Sequence, residues 1–171
     1  NGDKRYLSSG LRFEDFANSA KRIANGLEEI HTVLKRPYGD WKPDNIAIDS
    51  DGNPLIADLG TTSIGRSISP RDNMGFEYTR APEVNEEGSR PSERSDVYGC
   101  GALFYNMITG DYPKINKNEK VDVEIVPKKL RRFLKKCLAH EPSERYADGR
   151  ELKKGLEKAL EDFSINKFVR K

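Results

Sequence analysis

Residues Ser95 to Thr109 read SDVYGCGALFYNMIT, apolar on almost every side if wound as a helix. A helix that is apolar all round cannot lie on a surface and has to be wrapped by other elements. No uninterrupted apolar run in the chain approaches the roughly 18 residues that mark a membrane span, so this segment is expected to be the axis of a water-soluble core. The rest of the fold is constrained to supply the wrapping.

The wrapping elements are readable from their periods. Phe16, Ala20, Ile23, Leu27, Ile30 and Leu34 recur every three or four positions, which predicts a helix from about Phe13 to Thr32. Leu130, Phe133, Leu134, Cys137 and Leu138 predict a second amphipathic helix. Leu152, Leu156, Leu160 and Phe163 predict a third, with EPSER as the break between them. Asn45 to Ile48 and Pro54 to Ala57 are short apolar runs joined by DSDGN, whose Asp51 and Gly52 suit a tight hairpin turn. From Thr61 to about Arg94 no period is sustained, and a loop of that length is usually functional. The expected fold class is mainly α: a helical bundle around a buried central helix, with one small β-hairpin.

Charge and cysteine content narrow the function. With 30 Lys and Arg against 28 acids the net charge is +2, which does not describe a nucleic-acid or membrane-surface binder. The basic run from Lys128 to Lys136 is read as the wet face of its helix. Cys100 and Cys137 lie in apolar stretches without metal-ligand spacing, so they are read as reduced, buried thiols of a cytoplasmic protein. The N-terminus has no signal-peptide pattern. His31 and His140 show no ligand spacing; His31 is assigned a packing and hydrogen-bonding role at the end of its helix. DSDGN faintly suggests a calcium loop, but the sixth and twelfth positions are Pro54 and Gly60 where Gly and Glu are needed, so calcium is set aside.

Chemistry concentrates in GDWKPDN, Gly39 to Asn45, with Asp58 and Gly60 following the second strand. A turn that only reversed the chain would need Gly, Asn or Asp, but neither Lys42 nor an acid held beyond the paired strand. Phosphoryl transfer needs an acid to orient a hydroxyl, a cation for the phosphate, and an amide oxygen and a carboxylate for Mg²⁺. Asp40, Lys42, Asn45 and Asp58 match those roles in kind.

From Phe13 to Phe163 the chain resembles the C-terminal lobe of a protein kinase. YGDWKPDN resembles the catalytic loop HRDxKxxN, ADLG the metal-binding DFG, and Ala81 to Glu83 is an APE motif. SDVYGCG resembles the start of that lobe's central helix, and Arg145 in EPSERYAD the arginine that pairs with the APE glutamate. The resemblance implies ATP and Mg²⁺ as cofactors, with a protein, more in the manner of the Ser/Thr than the Tyr branch, as substrate. It implies that Asp40 is the catalytic base, that Lys42 neutralises the γ-phosphate, and that Asn45 and Asp58 hold Mg²⁺. Gly60, Asp96, Glu83 and Arg145 would be structural. Asp96 would bond the backbone of the catalytic loop, and Glu83 with Arg145 would form a largely desolvated ion pair. On this pattern residues 1–171 form the C-lobe: 1–12 trail from the hinge, 61–83 are the activation segment and 164–171 a tail.

Departures from the pattern carry their own expectations. Tyr38 and Gly39 stand where the motif has His and Arg, so a phosphate on Ser63, Ser67 or Ser69 would lack its usual counter-charge. Activity is then expected not to depend on loop phosphorylation. Leu59 replaces the phenylalanine of DFG, a mild change, and Phe76 stands where Ser/Thr kinases carry a threonine. No glycine-rich loop or lysine-bearing strand precedes Phe13, so the N-lobe is expected to lie upstream and the chain alone to be nearly inert. Two other readings stand beside this one. A small-molecule kinase of the aminoglycoside or choline type shares GDxxxxN, but Lys42, APE, SDVYG and Arg145 count against it. A pseudokinase-like binding module would not need Asp40, Lys42, Asn45 and Asp58 together.

Overall fold

The apolar segment forms helix α2 (Glu93–Thr109), and every residue from Ser95 to Tyr105 is buried. The computed structural model describes residues 7–59, 78–85, 89–114 and 121–168, with side chains through 161. α2 starts two residues before the predicted boundary because Ser92 caps it: Ser95 N–H donates to Ser92 Oγ at 3.1 Å, and Ser92 N–H to Ser95 Oγ at 2.7 Å. This reciprocal box satisfies donors that a buried helix end cannot leave to water. At the other end Gly110, left-handed at φ 84, donates to Asn106 O at 2.8 Å.

Around this axis lie α1 (Phe13–Glu29), α3 (Lys128–Cys137) and α4 (Gly149–Phe168), with α4 packed along α1 and α3. The buried face of α1 is Phe16, Ala20, Ile23, Ala24 and Leu27, as its period predicts. Phe104 on α2 meets Phe16 edge-on at 6.2 Å and Phe133 of α3 at 6.3 Å, so aromatic contacts tie three helices. On α3 the apolar face is buried while Lys128, Arg132, Lys135 and Lys136 are exposed, the wet face expected of the basic run. Cys100 and Cys137 are free and fully buried, and burial pushes both thiols up. Among the described residues no helix is long and apolar enough to cross a membrane.

Three boundaries differ from the sequence reading. α1 gives way at Ile30 to a wider π-helical turn, Ile30–Leu34, closed by Lys35 at φ 50. Such a turn shifts the following side chains around the axis: Ile30 and His31 are buried, whereas Leu34, predicted to face the core, is 43% exposed. α4 continues through Phe168, so residues 164–168 are helical rather than tail. Within the expected loop, Pro82–Asn85 form a 3₁₀ turn. Residues 7–12 dock on the end of α2, where Ser9 N–H donates to Ile108 O at 3.1 Å and Ser9 Oγ–H to Met107 O at 2.7 Å.

The hairpin pairs β1 (Ile46–Ile48) with β2 (Pro54–Ile56), Ile46 opposite Ile56. Asp49 closes its turn: Oδ1 accepts from the N–H groups of Asp51 and Asn53, at 2.9 and 2.8 Å. Those bonds, Asn53 N–H foremost, hold the Asp49 carboxyl below its ordinary range. DSDGN is thus accounted for by turn chemistry. The hairpin leans on α1, Ile56 lying against Gly26, and this contact brings the residues before and after it to one place.

Candidate active site

The site is organised from beneath by Asp96, fully buried in the first turn of α2. Its Oδ2 accepts from Tyr38 N–H at 2.6 Å and lies 2.9 Å from His31 Nε2; its Oδ1 accepts from Gly39 N–H at 2.7 Å and Trp41 Nε1–H at 3.0 Å. His31 Nδ1 accepts from Gly149 N–H at 2.9 Å, so the ring proton sits on Nε2 and is donated to Asp96. One carboxylate thereby secures three successive parts of the 38–41 segment, and His31 links it to the start of α4. A buried carboxylate is tolerated in such a place because its lone pairs meet donors.

Two glycines allow the close approach. Gly39 is left-handed at φ 76, and a Cβ there would meet Pro91 Cγ at 2.9 Å. Gly99 of α2 lies under Trp41, where a Cβ would be 2.5 Å from the indole. The absence of a side chain at 39 is therefore a requirement of this packing as well as a departure from the motif.

On this base Asp40, Lys42 and Asn45 converge. Asn45, 5% exposed, donates both Nδ2 protons to Asp40, at 2.9 Å to the main-chain oxygen and 2.6 Å to Oδ2. Lys42 Nζ is 3.5 Å from the same Oδ2. Spending both amide protons on Asp40 leaves the side-chain oxygen of Asn45 as its remaining polar atom, an acceptor.

Tyr38 is the hub joining this group to Asp58. Its hydroxyl donates to Ala57 O at 2.8 Å, and Ala57 N–H donates to Asn45 O at 2.8 Å. Burial chiefly pushes the Tyr38 phenol well up; the bond to Asn45 opposes it, and the carboxylates of Asp40, Asp58 and Asp96 add to it. Asp58 follows Ala57 directly, so the two bonds at Ala57 bring its backbone beside the Asp40–Asn45 loop. Asp58 is exposed and left-handed at φ 54, and Arg36 Nη2–H donates to the carbonyl of the next residue, Leu59, at 2.7 Å.

The oxygens of Asn45 and Asp58 are hard donors of the kind Mg²⁺ takes, and one or two protein oxygens plus substrate phosphates suffice for that ion. No cluster of three or more His, Cys, Asp or Glu that could cage a metal occurs among the described residues. Gly60, Phe76 and the serines at 63, 67 and 69 lie outside the described residues.

Below the site, Arg145 makes a bidentate pair with Glu83, Nη1 to Oε1 at 2.7 Å and Nη2 to Oε2 at 2.8 Å. Its other N–H groups go to the carbonyls of Ala139, Arg94 and His140, at 2.8, 3.1 and 2.8 Å, so five donors meet five acceptors. The arginine side chain is 0% exposed but that of Glu83 is 30% exposed. The expectation that both would be largely desolvated is correct for the arginine only.

Sequence reasoning missed Thr79. It is buried, and its hydroxyl donates to Trp41 O, tying the segment before Ala81 to the 38–45 loop. It also missed Arg36 and Trp41. A single polar residue such as Thr79 in a stretch without periodicity carries no sign of burial, whereas Trp41 lies inside GDWKPDN, where an aromatic residue among polar ones was the available signal.

A family model described as protein kinase domain matches residues 4–160. Serine/threonine-protein kinase PknL of Mycobacterium tuberculosis is 27% identical over 164 residues, covering 85% of this chain and 41% of that protein. G protein-coupled receptor kinase 1 of Caenorhabditis elegans is 34% identical over 113 residues, 66% of this chain and 17% of that protein. The leucine-rich repeat receptor-like protein kinase PXC1 of Arabidopsis thaliana is 36% identical over 95 residues, 54% of this chain and 14% of that protein. The matches thus span less than half the length of each of these relatives.

Proposed function

The chain belongs to the protein kinase family, and from that premise we propose that it supplies the acid, cation and metal-holding groups for transfer of the γ-phosphoryl of ATP to a Ser or Thr hydroxyl of a protein. The observation that carries the reading is the bonded group Asp40–Lys42–Asn45, with Asp58 held beside it through Tyr38 and Ala57.

In this reading Asp40 Oδ orients the acceptor hydroxyl and takes its proton as the hydroxyl oxygen bonds to phosphorus and the bond to the ADP oxygen breaks. Lys42, held against Asp40, presents its ammonium to the transferring group and offsets its negative charge. Asn45 and Asp58 would hold Mg²⁺, which when bound neutralises phosphate charge. Asp96 acts indirectly, by fixing the backbone on both sides of Asp40. Almost all of the rate effect in such chemistry comes from position and charge. That is why a buried carboxylate with four donors is spent on a loop.

The Ser/Thr preference is supported by the similarity to PknL, a serine/threonine-protein kinase. The family pattern completes the nucleotide clamp with a glycine-loop lobe. The test is transfer from γ-labelled ATP to Ser-, Thr- and Tyr-containing peptides by the full-length protein and its Asp40→Asn variant. Label on Ser or Thr that disappears in the variant supports the reading. Equal labelling by the variant would overturn it, and binding without any transfer would favour the docking-module reading.

A further inference from the structure

The backbone that presents Asp58 is gripped on both sides. Ala57 O, before it, accepts from Tyr38 Oη–H at 2.8 Å; Leu59 O, after it, accepts from Arg36 Nη2–H at 2.7 Å. Between these two carbonyls Asp58 is left-handed at φ 54, one of two non-glycine residues with positive φ among the described residues. A left-handed aspartate persists where its surroundings over-determine it. Both gripping side chains come from the short segment that enters the catalytic loop.

Arg36 itself is placed by an unusual turn. The π-helical turn Ile30–Leu34 ends α1, and Lys35 follows at φ 50, so the chain reverses just before Arg36 and sends it toward the loop after β2. Arg36 is only partly buried, and Leu59 is 39% exposed. A long side chain ordered there gives up rotamer freedom. A guanidinium donating to a carbonyl is a charge-assisted bond, strong enough to hold such a geometry.

We propose that Arg36 is a positioning residue for the metal-holding carboxylate: by holding the Leu59 carbonyl it keeps Asp58 in the left-handed conformation that aims its side chain at the site shared with Asn45. The proposal rests on the reading of Asp58 as a Mg²⁺ ligand. It gives the loop a cation from residue 36 where the motif position, Gly39, has none. It also separates the two grips: Tyr38 orders the loop from the core side, and Arg36 from the solvent side.

The test is Mn²⁺ binding, followed by electron paramagnetic resonance, to the full-length protein with a non-hydrolysable ATP analogue. Arg36→Ala should weaken Mn²⁺ about tenfold, the size expected when a group supporting a metal ligand is lost, with the thermal midpoint unchanged. Arg36→Lys, which can still reach a carbonyl with an N–H, should recover most of the affinity. Without metal or nucleotide, amide exchange in the 57–60 segment should be faster in Arg36→Ala than in the parent. An Arg36→Ala affinity within twofold of the parent, while Asp58→Asn abolishes binding, would overturn the role of Arg36 and leave the metal reading standing. Unchanged Mn²⁺ binding in Asp58→Asn would overturn the metal reading and this proposal with it.

Discussion

Asp96→Asn isolates the carboxylate that anchors the 38–41 segment, because asparagine keeps its shape and removes one acceptor. The amide oxygen can replace either Oδ1 or Oδ2. Placed at Oδ1, it keeps Gly39 N–H and Trp41 Nε1–H and leaves an NH₂ group facing Tyr38 N–H and His31 Nε2–H. His31 cannot turn acceptor on that side without abandoning Gly149 N–H. Two buried donors then lose their partner at about 1 to 3 kcal/mol each, so the loss is about 2 to 6 kcal/mol. That is a large part of the roughly 5 to 15 kcal/mol that holds a domain together. Urea unfolding followed by circular dichroism reads the global loss as a lower midpoint at unchanged slope. Fluorescence of Trp41, the sole tryptophan, reads the loop itself. The expected result is a midpoint lowered by at least about 1 M and a Trp41 spectrum altered before any denaturant is added. A loss under about 1 kcal/mol with an unaltered spectrum would refute the reasoning that Asp96 organises the loop.

The ion pair below the site should depend on an acceptor at residue 83: Glu83→Ala strands the fully buried Arg145 guanidinium and should cost about 3 to 5 kcal/mol, whereas Glu83→Gln, which keeps one acceptor for it, should cost less. Equal losses in denaturant would contradict this. Gly39→Ala should lose about 1 to 2 kcal/mol from the left-handed backbone alone and more from contact with Pro91. In a Pro91→Gly background, which removes both Cγ and Cβ, the extra part should vanish, and strict additivity of the two variants would rule the contact out. At alkaline pH, burial holds the phenols of Tyr38 and Tyr98 well up and that of Tyr146 at about 12. The unfolded chain releases those protons near pH 10, the ordinary phenol value, so stability present below about pH 10 should fall as pH rises above it. Absorbance at about 295 nm should show phenolate appearing together with unfolding; full ionisation in a still-folded protein would contradict the burial argument.

Much of this protein is legible one residue at a time. The central helix, the apolar face of α1, the wet face of α3 and the hairpin follow from period and turn chemistry, which act over a few neighbouring residues. The order of GDWKPDN, ADLG, APE and SDVYG carries the family, because each motif is a contiguous stretch whose residue types suit one step of the chemistry. Two features lay out of reach of period reasoning. The π turn that buries His31 and exposes Leu34 replaces the ordinary helical period with another. The exposure of Glu83 depends on what lies over it.

The sequence by itself determined which elements form, which faces they bury and which functional groups the loops carry, since these depend on local backbone preference and the burial of apolar surface. Only the tertiary structure decided how those groups are held. His31 bonds Asp96 and Gly149, Arg36 bonds Leu59, Thr79 bonds Trp41, and Arg145 gathers five acceptors from three segments. The physical reason is that a hydrogen bond is satisfied by distance and direction in space. Its partners can be any number of residues apart, and no period or motif records who they are.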